Sequence, residues 1–167
     1  GLRNAWRRTV ALAATGLLSG LSLAALAAPT PVTVAVISQS GDTRYAPRRL
    51  EQAYSGHPHG RPLAAARMAA DEAGVELDVL GLSLKVIEVS IADAQALPAA
   101  LAQLKAAGVR HVLADLPAPE MRQLVQLAPA TLGGAMVFNI GLEDDALRGA
   151  PCAAHLLPTL PSAQMRR

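Results

Sequence analysis

The sequence predicts an α/β fold built on a doubly wound parallel sheet with helices on both faces. Short apolar, β-branched segments such as Val32–Ser38 are typical of strands that are buried on both sides. These segments alternate with alanine-rich segments of helical length, and such alternation is typical of parallel sheets joined by crossover helices. The chain has 167 residues and is 51% hydrophobic, which is enough apolar content for the core of one domain.

The first predicted strand, Val32–Ser38, is followed by a long loop, Gln39–Arg61, that is rich in glycine and proline. The loop exceeds the ~2–6 residues that usually connect a strand to the next helix in such folds. We therefore expect either a functional loop or a short helix within it. Arg48–Tyr54 is the candidate for that helical turn.

The segment after the long loop has the signals of a helix. Pro62 suits the first helical position, Leu63–Ala73 is alanine-rich, and Gly74 is placed to end the helix. The alternating segment Glu76–Leu80 and the apolar segment after it are interpreted as one bulged strand or a hairpin-like pair. Leu84–Ser90 is the part that we expect to join the sheet.

The middle of the chain predicts another helix and strand. Asp93 is a suitable N-cap for a helix over Ala94–Ala107, and Gly108 is placed to end it. Proline is unfavourable inside a helix, so the alternative is a regular helix that begins near Pro98. Val109–Asp115 is the next predicted strand.

The last part of the chain continues the alternation. A helix that opens at Pro117 is predicted to run to Leu127 and to end at Pro129. Ser162 is placed as the N-cap of a further helix whose start is Pro158–Ser162. Three shorter elements are predicted between these helices: the strand Ala135–Asn139, the helical turn Glu143–Arg148 and the strand His155–Leu157.

The N-terminal residues 1–27 are predicted to be a cleaved export signal, which indicates a periplasmic protein. Three arginines within the first eight residues precede the apolar segment Val10–Leu26, and Ala25-Leu26-Ala27 suits signal cleavage. The alternative is a membrane anchor, but the apolar segment is shorter than the ~20 residues that a membrane span needs. Arg7-Arg8 leaves open whether export follows the general or the twin-arginine route.

Composition excludes some classes of function. Aromatic residues make up only 2% of the chain, which argues against the stacking platforms that bind nucleic acid. The net charge is +2, and much of the positive excess lies at the two ends, so no nucleic-acid partner is expected. The single cysteine, Cys152, cannot form a disulfide within the chain, and burial is the interpretation we favour for it.

Catalytic and cofactor motifs are absent from the sequence. No phosphate-binding loop, dinucleotide-binding glycine motif or Gly-x-Ser-x-Gly elbow is present, and Ser38-Gln39-Ser40 replaces the acidic pair of phosphorylated receiver domains. His57-Pro58-His59 is half of a metal site without ligands at matching spacing, so it is interpreted as part of a polar loop. We expect no enzyme activity, no cofactor and no metal, although an enzyme of unrecognised chemistry stays open.

Polar side chains follow three predicted strands at the point where each strand ends. The carboxyl ends of parallel strands meet at one edge of the sheet, where α/β proteins usually bind ligands. Backbone N–H groups at nearby helix starts can hold polar groups of a small solute. The predicted ligand-binding residues are Ser38, Gln39, Asp115 and Asn139, with Tyr45 and Arg61 of the long loop as second choices.

From Val32 to Ser162 the chain resembles the first lobe of a type 1 periplasmic solute-binding protein of the branched-chain amino-acid ABC transporter class. Arg44–Leu63 and Leu157–Ser162 are similar to the subgroup associated with PQQ-dependent alcohol dehydrogenase systems. The resemblance implies an N-terminal lobe over residues 28–157. It also implies that residues 158–167 begin the crossover to a second lobe that this sequence lacks.

The resemblance implies capture of a small solute in a cleft that closes by hinge motion, with an ABC permease as partner and the membrane contacted only through it. Amino-acid binders of this class carry hydroxyl residues where this chain has Asp115–Ala118 and Asn139–Gly141, which argues against a zwitterionic amino acid. We expect one lobe alone to bind its solute weakly or not at all. The alternative is an exported accessory or sensor protein that partners a periplasmic dehydrogenase without transport.

Overall fold

The computed structural model describes residues 28–46, 60–148, 153–162 and 164–167. They form a five-stranded, all-parallel sheet with the strand order β2-β1-β3-β4-β5, which confirms the predicted α/β class. The strands are β1 (Thr30–Gln39), β2 (Leu82–Ile91), β3 (His111–Asp115), β4 (Met136–Asn139) and β5 (Leu156–Pro158). The helices are α1 (Pro62–Glu72), α2 (Gly74–Val79), α3 (Leu97–Ala106) and α4 (Ala118–Leu132).

The core lies between the sheet and the helix pair α3 and α4. Ala35 and Ile37 of β1 are fully buried there, together with Leu101 and Leu104 of α3 and Leu124 of α4. By contrast, α1 and α2 pack against β1 and β2 without a single buried residue. The prediction that helices cover both faces of the sheet stays a prediction.

The predicted extended segment Glu76–Leu80 is wrong, because these residues lie in α2 and its C-terminal cap. Helix α1 ends at Glu72 with Ala73 as its cap, close to the predicted end, but Gly74 lacks the left-handed conformation that stops a helix and begins α2. The N–H of Leu77 instead donates to the carbonyl of Ala73 at 3.0 Å, so helical bonding continues across the junction. The left-handed residue is Gly81, with φ 67°, and β2 starts directly after it.

The predicted end of α4 at Pro129 is also wrong, because the helix continues to Leu132. Proline has no N–H, so the carbonyl of Val125, four residues earlier, loses its helical donor. His155 replaces that donor, with its Nε2 3.0 Å from the Val125 carbonyl oxygen. The helix ends at Gly133, whose φ is 48°.

The other element boundaries follow the predicted signals. Asp93 caps a 3₁₀ turn over Ala94–Ala96 and the regular helix begins at Leu97, which confirms the alternative start near Pro98. Ser162 does act as a cap, because its Oγ accepts the N–H of Met165 at 3.1 Å, although the element that follows is only a 3₁₀ turn.

Several predicted features lie outside the described residues: the export signal over residues 1–27, the helical turn Arg48–Tyr54, the His57/His59 pair and Cys152. Among the described residues, no helix is long and apolar enough to cross a membrane. The same part of the chain contains no group of three or more His, Cys, Asp or Glu side chains arranged to hold a metal ion.

Candidate functional site

The candidate site lies where β1 and β3 end side by side. From β1 the chain continues to β2 on one side, whereas β3 leads to β4 on the other side. Such a reversal leaves a crevice outside the carboxyl ends of the two strands, and this is the usual ligand position in open α/β sheets. Ser38 of β1 and Asp115 of β3 are paired in register at this point, and both are buried.

The turn after β1 is built by Asp42. Its Oδ1 accepts the backbone N–H of Arg44 at 2.9 Å, which is the local hydrogen bond typical of aspartate-initiated turns. The preceding Gly41 has φ 70°, a backbone conformation that favours glycine. The resulting 3₁₀ turn, Thr43–Tyr45, places the side chains of Arg44 and Tyr45 at the sheet edge.

The guanidinium of Arg44 connects the ends of three strands. Its Nε and Nη2 donate to Asp42 Oδ2 at 2.9 and 2.6 Å. Nη2 also donates to Asp115 Oδ1 at 3.0 Å, and Nη1 donates to the carbonyl of Gly141 after β4 at 2.8 Å. The side chains of Asp42 and Asp115 are 1% and 0% exposed, whereas that of Arg44 is 27% exposed. Two buried carboxylates therefore share one guanidinium.

Tyr45 and Arg61 extend this network. The Tyr45 hydroxyl donates to Asp115 Oδ1 at 2.9 Å. The guanidinium carbon of Arg61 lies 4.9 Å from the centre of the Tyr45 ring, within the range of a cation–π contact. Arg61 precedes α1, so the two ends of the long loop meet at the sheet edge.

The pKa values of the network reflect competition between burial and pairing. Burial alone raises the pKa of Asp42, but the hydrogen bonds from Arg44 and the charges of Arg44 and Arg61 outweigh burial and hold it below its ordinary value. Burial lowers the pKa of Arg44, yet its bonds to Asp42 and the charge of Asp115 raise it overall. Burial and the hydrogen bond to Asp115 both raise the pKa of Tyr45.

Asn139 shapes the loop after β4. Its Oδ1 accepts the N–H groups of Gly141 and Leu142 at 3.3 and 3.0 Å, and its Nδ2 donates to the Leu142 carbonyl at 2.9 Å. The side chain is 1% exposed. Asn139 thus acts on the site through the loop, because it brings the backbone of Gly141 against Arg44 and Asp115.

Two buried acceptor atoms at this edge have no hydrogen-bond partner in the described part of the chain. They are Oδ2 of Asp115 and Oε1 of Gln39, whose Nε2 donates to the Ala92 carbonyl at 3.2 Å. A cavity of about 290 Å³ lies beside the network, lined by Gln39, the turn residues 41–44 and three residues at the start of α4: Pro117, Pro119 and Glu120. No side chain caps the first turn of α4.

Most of the residues predicted from the sequence lie at this edge. Tyr45 and Asp115 are in direct contact, Arg61 stacks on Tyr45, and Gln39 lines the cavity. Ser38 pairs with Asp115 in register, and Asn139 supports the neighbouring loop. Sequence reasoning missed Asp42 and Arg44 as site residues. Their signal was the Gly41-Asp42 pair directly after a strand, which favours an aspartate-initiated turn.

Comparisons of the chain with protein-family models, with curated proteins and with solved structures find no match. The function proposed below rests on the chemistry of this sheet edge.

The raised pKa of Tyr45 leads to a titration experiment. A variant with Tyr54→Phe retains Tyr45 as its only tyrosine, since the chain has two. We expect its phenolate absorbance to develop well above pH 10.0, the ordinary pKa, because burial disfavours the phenolate and ionisation would place it beside the Asp115 carboxylate. Tyr45 then contributes stability that is complete below pH 10.0 and is lost as pH rises through the folded pKa.

The control for this titration is the same variant unfolded in urea, where the midpoint should return to about pH 10. A folded-state midpoint at or below pH 10.0, with far-ultraviolet circular dichroism unchanged, would show that Tyr45 does not donate to Asp115 in solution.

Proposed function

We propose that the chain is a lobe of a type 1 periplasmic solute-binding protein and captures a small solute at the carboxyl edge of β1, β3 and β4. The observation that carries the proposal is the hydrogen-bonded network of Asp42, Arg44, Tyr45 and Asp115. Within it, the buried Oδ2 of Asp115 has no hydrogen-bond partner among the described residues, and Asp42 and Arg44 line the adjoining cavity. The all-parallel sheet and its reversal between β1 and β3 support this position for a ligand.

The chemistry of the network favours a solute that donates hydrogen bonds. A buried acceptor without a partner costs about 1–3 kcal/mol, and a hydroxyl or ammonium group at Asp115 Oδ2 recovers that free energy. The charges of Asp42 and Asp115 are balanced by Arg44 and Arg61, and Glu120, which lines the cavity, leaves a net charge of −1 that disfavours an anionic solute. Four hydrogen bonds occupy Arg44, so it is poorly placed to bind a carboxylate.

A hydroxyl-bearing solute agrees with the similarity of Arg44–Leu63 to proteins associated with PQQ-dependent alcohol oxidation. In this proposal the protein works in the periplasm, a second lobe closes over the solute, and an ABC permease receives it. The solute itself is identified by chemical class: a small polyol, alcohol or amine.

The test is a thermal-shift titration with three probes of similar size: glycerol, ethanolamine and propionate. We expect glycerol or ethanolamine to raise the melting temperature at millimolar concentration, and propionate to have no effect, because only the first two donate to Asp115 Oδ2. In the Asp115→Asn variant a donor replaces an acceptor, so the affinity should fall about tenfold or more. Each shift is measured relative to the same variant without solute, which removes any change in basal stability.

The matched control is Asp93→Asn, because asparagine also caps helices and Asp93 lies at the start of an exposed turn. This variant should respond to the probes as the unchanged chain does. A response to propionate alone, or equal responses in Asp115→Asn and Asp93→Asn, would contradict the proposal. Loss of dehydrogenase activity on deletion of the gene, with solute uptake unchanged, would favour the accessory role instead.

A further inference from the structure

The helices α1 and α2 face the sheet with one stripe of small and apolar residues. The stripe repeats at helical spacing and its members are half-buried. Helical hydrogen bonding crosses the α1–α2 junction at Ala73, whose N–H donates to the Ala69 carbonyl and whose carbonyl accepts from Leu77, each at 3.0 Å. The periodicity therefore extends over both helices. The sheet-facing stripe comprises Leu63, Ala66, Ala70 and Leu77.

A second apolar stripe lies on the opposite side of the same helices. Met68, Val75 and Val79 are spaced by seven and four residues, which places them on one side at ~100° per residue. Their exposed fractions are 59%, 77% and 84%, and Leu80, which follows α2, is 69% exposed. We call these four residues the outer stripe. Apolar residues on both sides are typical of a helix that is covered on both sides.

Acidic residues border the outer stripe. Asp71, Glu72, Glu76 and Asp78 are all exposed, and they interleave with its members. With Arg67 as its one basic residue, the segment 62–80 has a net charge of −3, although the whole chain has +2. Arg67 lies 3.9 Å from Glu88 of β2, so its charge is partly directed towards that carboxylate.

Helix stability does not explain these carboxylates. Helical hydrogen bonding continues from α1 into α2, so the C-terminal end of this path is at Val79, where Asp78 lies in the last turn without a basic residue. Negative charge at the C-terminal end of a helix is unfavourable. Glu72 and Glu76, four residues apart on the same path, repel each other. A basic partner would relieve both effects.

We propose that the outer stripe and its acidic border are a docking surface for another protein that presents apolar side chains flanked by lysine or arginine. Exposed apolar patches with a polar border mark interaction sites. A symmetric contact between two copies of this chain would place the acidic border against itself. An anionic lipid surface would be repelled in the same way. Charge complementarity therefore selects a basic protein partner.

The experiment uses the full chain and two synthetic helical peptides. Both peptides carry leucine at i, i+3, i+4 and i+7 spacing, and the other positions are lysine in one and glutamate in the other. We expect the lysine peptide to bind at least about tenfold tighter than the glutamate peptide, with an affinity that falls as salt rises. Chemical-shift perturbation should map the contact to α1 and α2.

Two double variants test the apolar residues of the outer stripe and the carboxylates of its acidic border. Val75→Ser with Val79→Ser should weaken binding of the lysine peptide about tenfold or more without unfolding the chain, since both side chains are exposed. Glu72→Gln with Glu76→Gln should weaken binding and reduce its salt dependence. The matched control, Glu143→Gln with Asp145→Gln, makes the same change in net charge elsewhere and should leave binding unchanged.

Three results would overturn the proposal. One is equal binding of the two peptides, or no effect of the valine double variant. Another is self-association in sedimentation experiments that Val79→Ser removes, which would assign the surface to a second copy. The third is binding to vesicles of phosphatidylglycerol that Val79→Ser removes, which would assign it to a membrane.

Discussion

Replacing Arg44 by methionine is expected to lower the free energy of unfolding by about 3–5 kcal/mol, because the change leaves two buried carboxylates without their shared cation. Asp42 and Asp115 are 1% and 0% exposed in their side chains, so the guanidinium rather than water compensates their charge in the folded chain. Methionine retains most of the apolar stem of arginine, which restricts the change to charge and hydrogen bonds. Urea denaturation at neutral pH measures the loss.

The matched control is Arg122→Met. Arg122 pairs with Asp144 at 3.4 Å, but its side chain is 52% exposed, and exposed pairs contribute about 0–1 kcal/mol. A similar small loss in both variants would mean that the Arg44 network is solvated and carries no special stability. Adding Asp115→Asn to Arg44→Met should cost less than the two single losses combined, because both residues belong to one network.

The stability lost in Arg44→Met should also depend on pH. In the folded chain the pKa of Asp42 lies below the ordinary 3.8, so Asp42 contributes stability at pH values above 3.8. That contribution is lost as pH falls through the lower, folded pKa. The difference between the unchanged chain and Arg44→Met should therefore be largest near neutral pH and should narrow in acid.

The second large effect is expected for Gly141→Ala, which should lower the free energy of unfolding by about 1–3 kcal/mol through overpacking. A Cβ at this position would lie 2.6 Å from Asp115 Oδ1 and 2.7 Å from Arg44 Nη1. It would also lie 3.4 Å from the Asp115 Cα, so the Asp115 carboxylate and the Arg44 guanidinium must both shift to make room. We expect the variant to lose the Arg44–Asp115 contact as well as packing.

The comparison for Gly141→Ala is Gly74→Ala, which adds the same methyl group in open space. No atom lies within 4 Å of a Cβ at position 74, and this glycine has no left-handed backbone conformation. Alanine is the better helix former by roughly 0.5–1 kcal/mol, so Gly74→Ala should stabilise the chain. Equal denaturation midpoints for the two variants would contradict the close approach of the β4 loop to Arg44 and Asp115.

Substitutions at Arg44 and Gly141 test the structural support of the candidate site, whereas Asp115→Asn tests the proposed contact with a solute. Arg44 and Gly141 hold the ends of β1, β3 and β4 together, whereas the acceptor that we propose for a solute is Asp115 Oδ2. A change at Arg44 or Gly141 should lower stability and solute affinity together. Asp115→Asn should change which solutes bind, because it replaces the acceptor with a donor.

The sequence alone was sufficient to predict the parallel sheet and to bring the candidate site residues to its carboxyl edge. Val32–Ser38 is largely apolar and β-branched, and Val109–Asp115 contains the apolar run Val112–Ala114; both patterns can be seen without knowledge of the rest of the fold. In any parallel sheet the strands end at the same edge, so Tyr45 and Asp115 could be expected to lie near each other before the strand order was known.

Local patterns failed in two ways. Pro129 normally ends a helix, but His155, 30 residues from Val125, supplies the hydrogen bond that the proline removes. A residue distant along the chain therefore decides how far α4 extends. The alternation in Glu76–Leu80 is compatible with a strand, but these residues lie in α2 and its cap, so here the local pattern itself was ambiguous.

The sequence by itself determined that this protein is a parallel α/β domain with polar side chains at the carboxyl edge of its sheet. The reason is that hydrophobic periodicity and strand direction can be inferred from short segments of the chain and the order in which they alternate. Tertiary structure alone decided that Arg44 would join Asp42 to Asp115, 71 residues away, and to Gly141, 97 residues away. The physical reason is that a buried charge must find its partners in space, and spacing along the chain does not encode which loops meet.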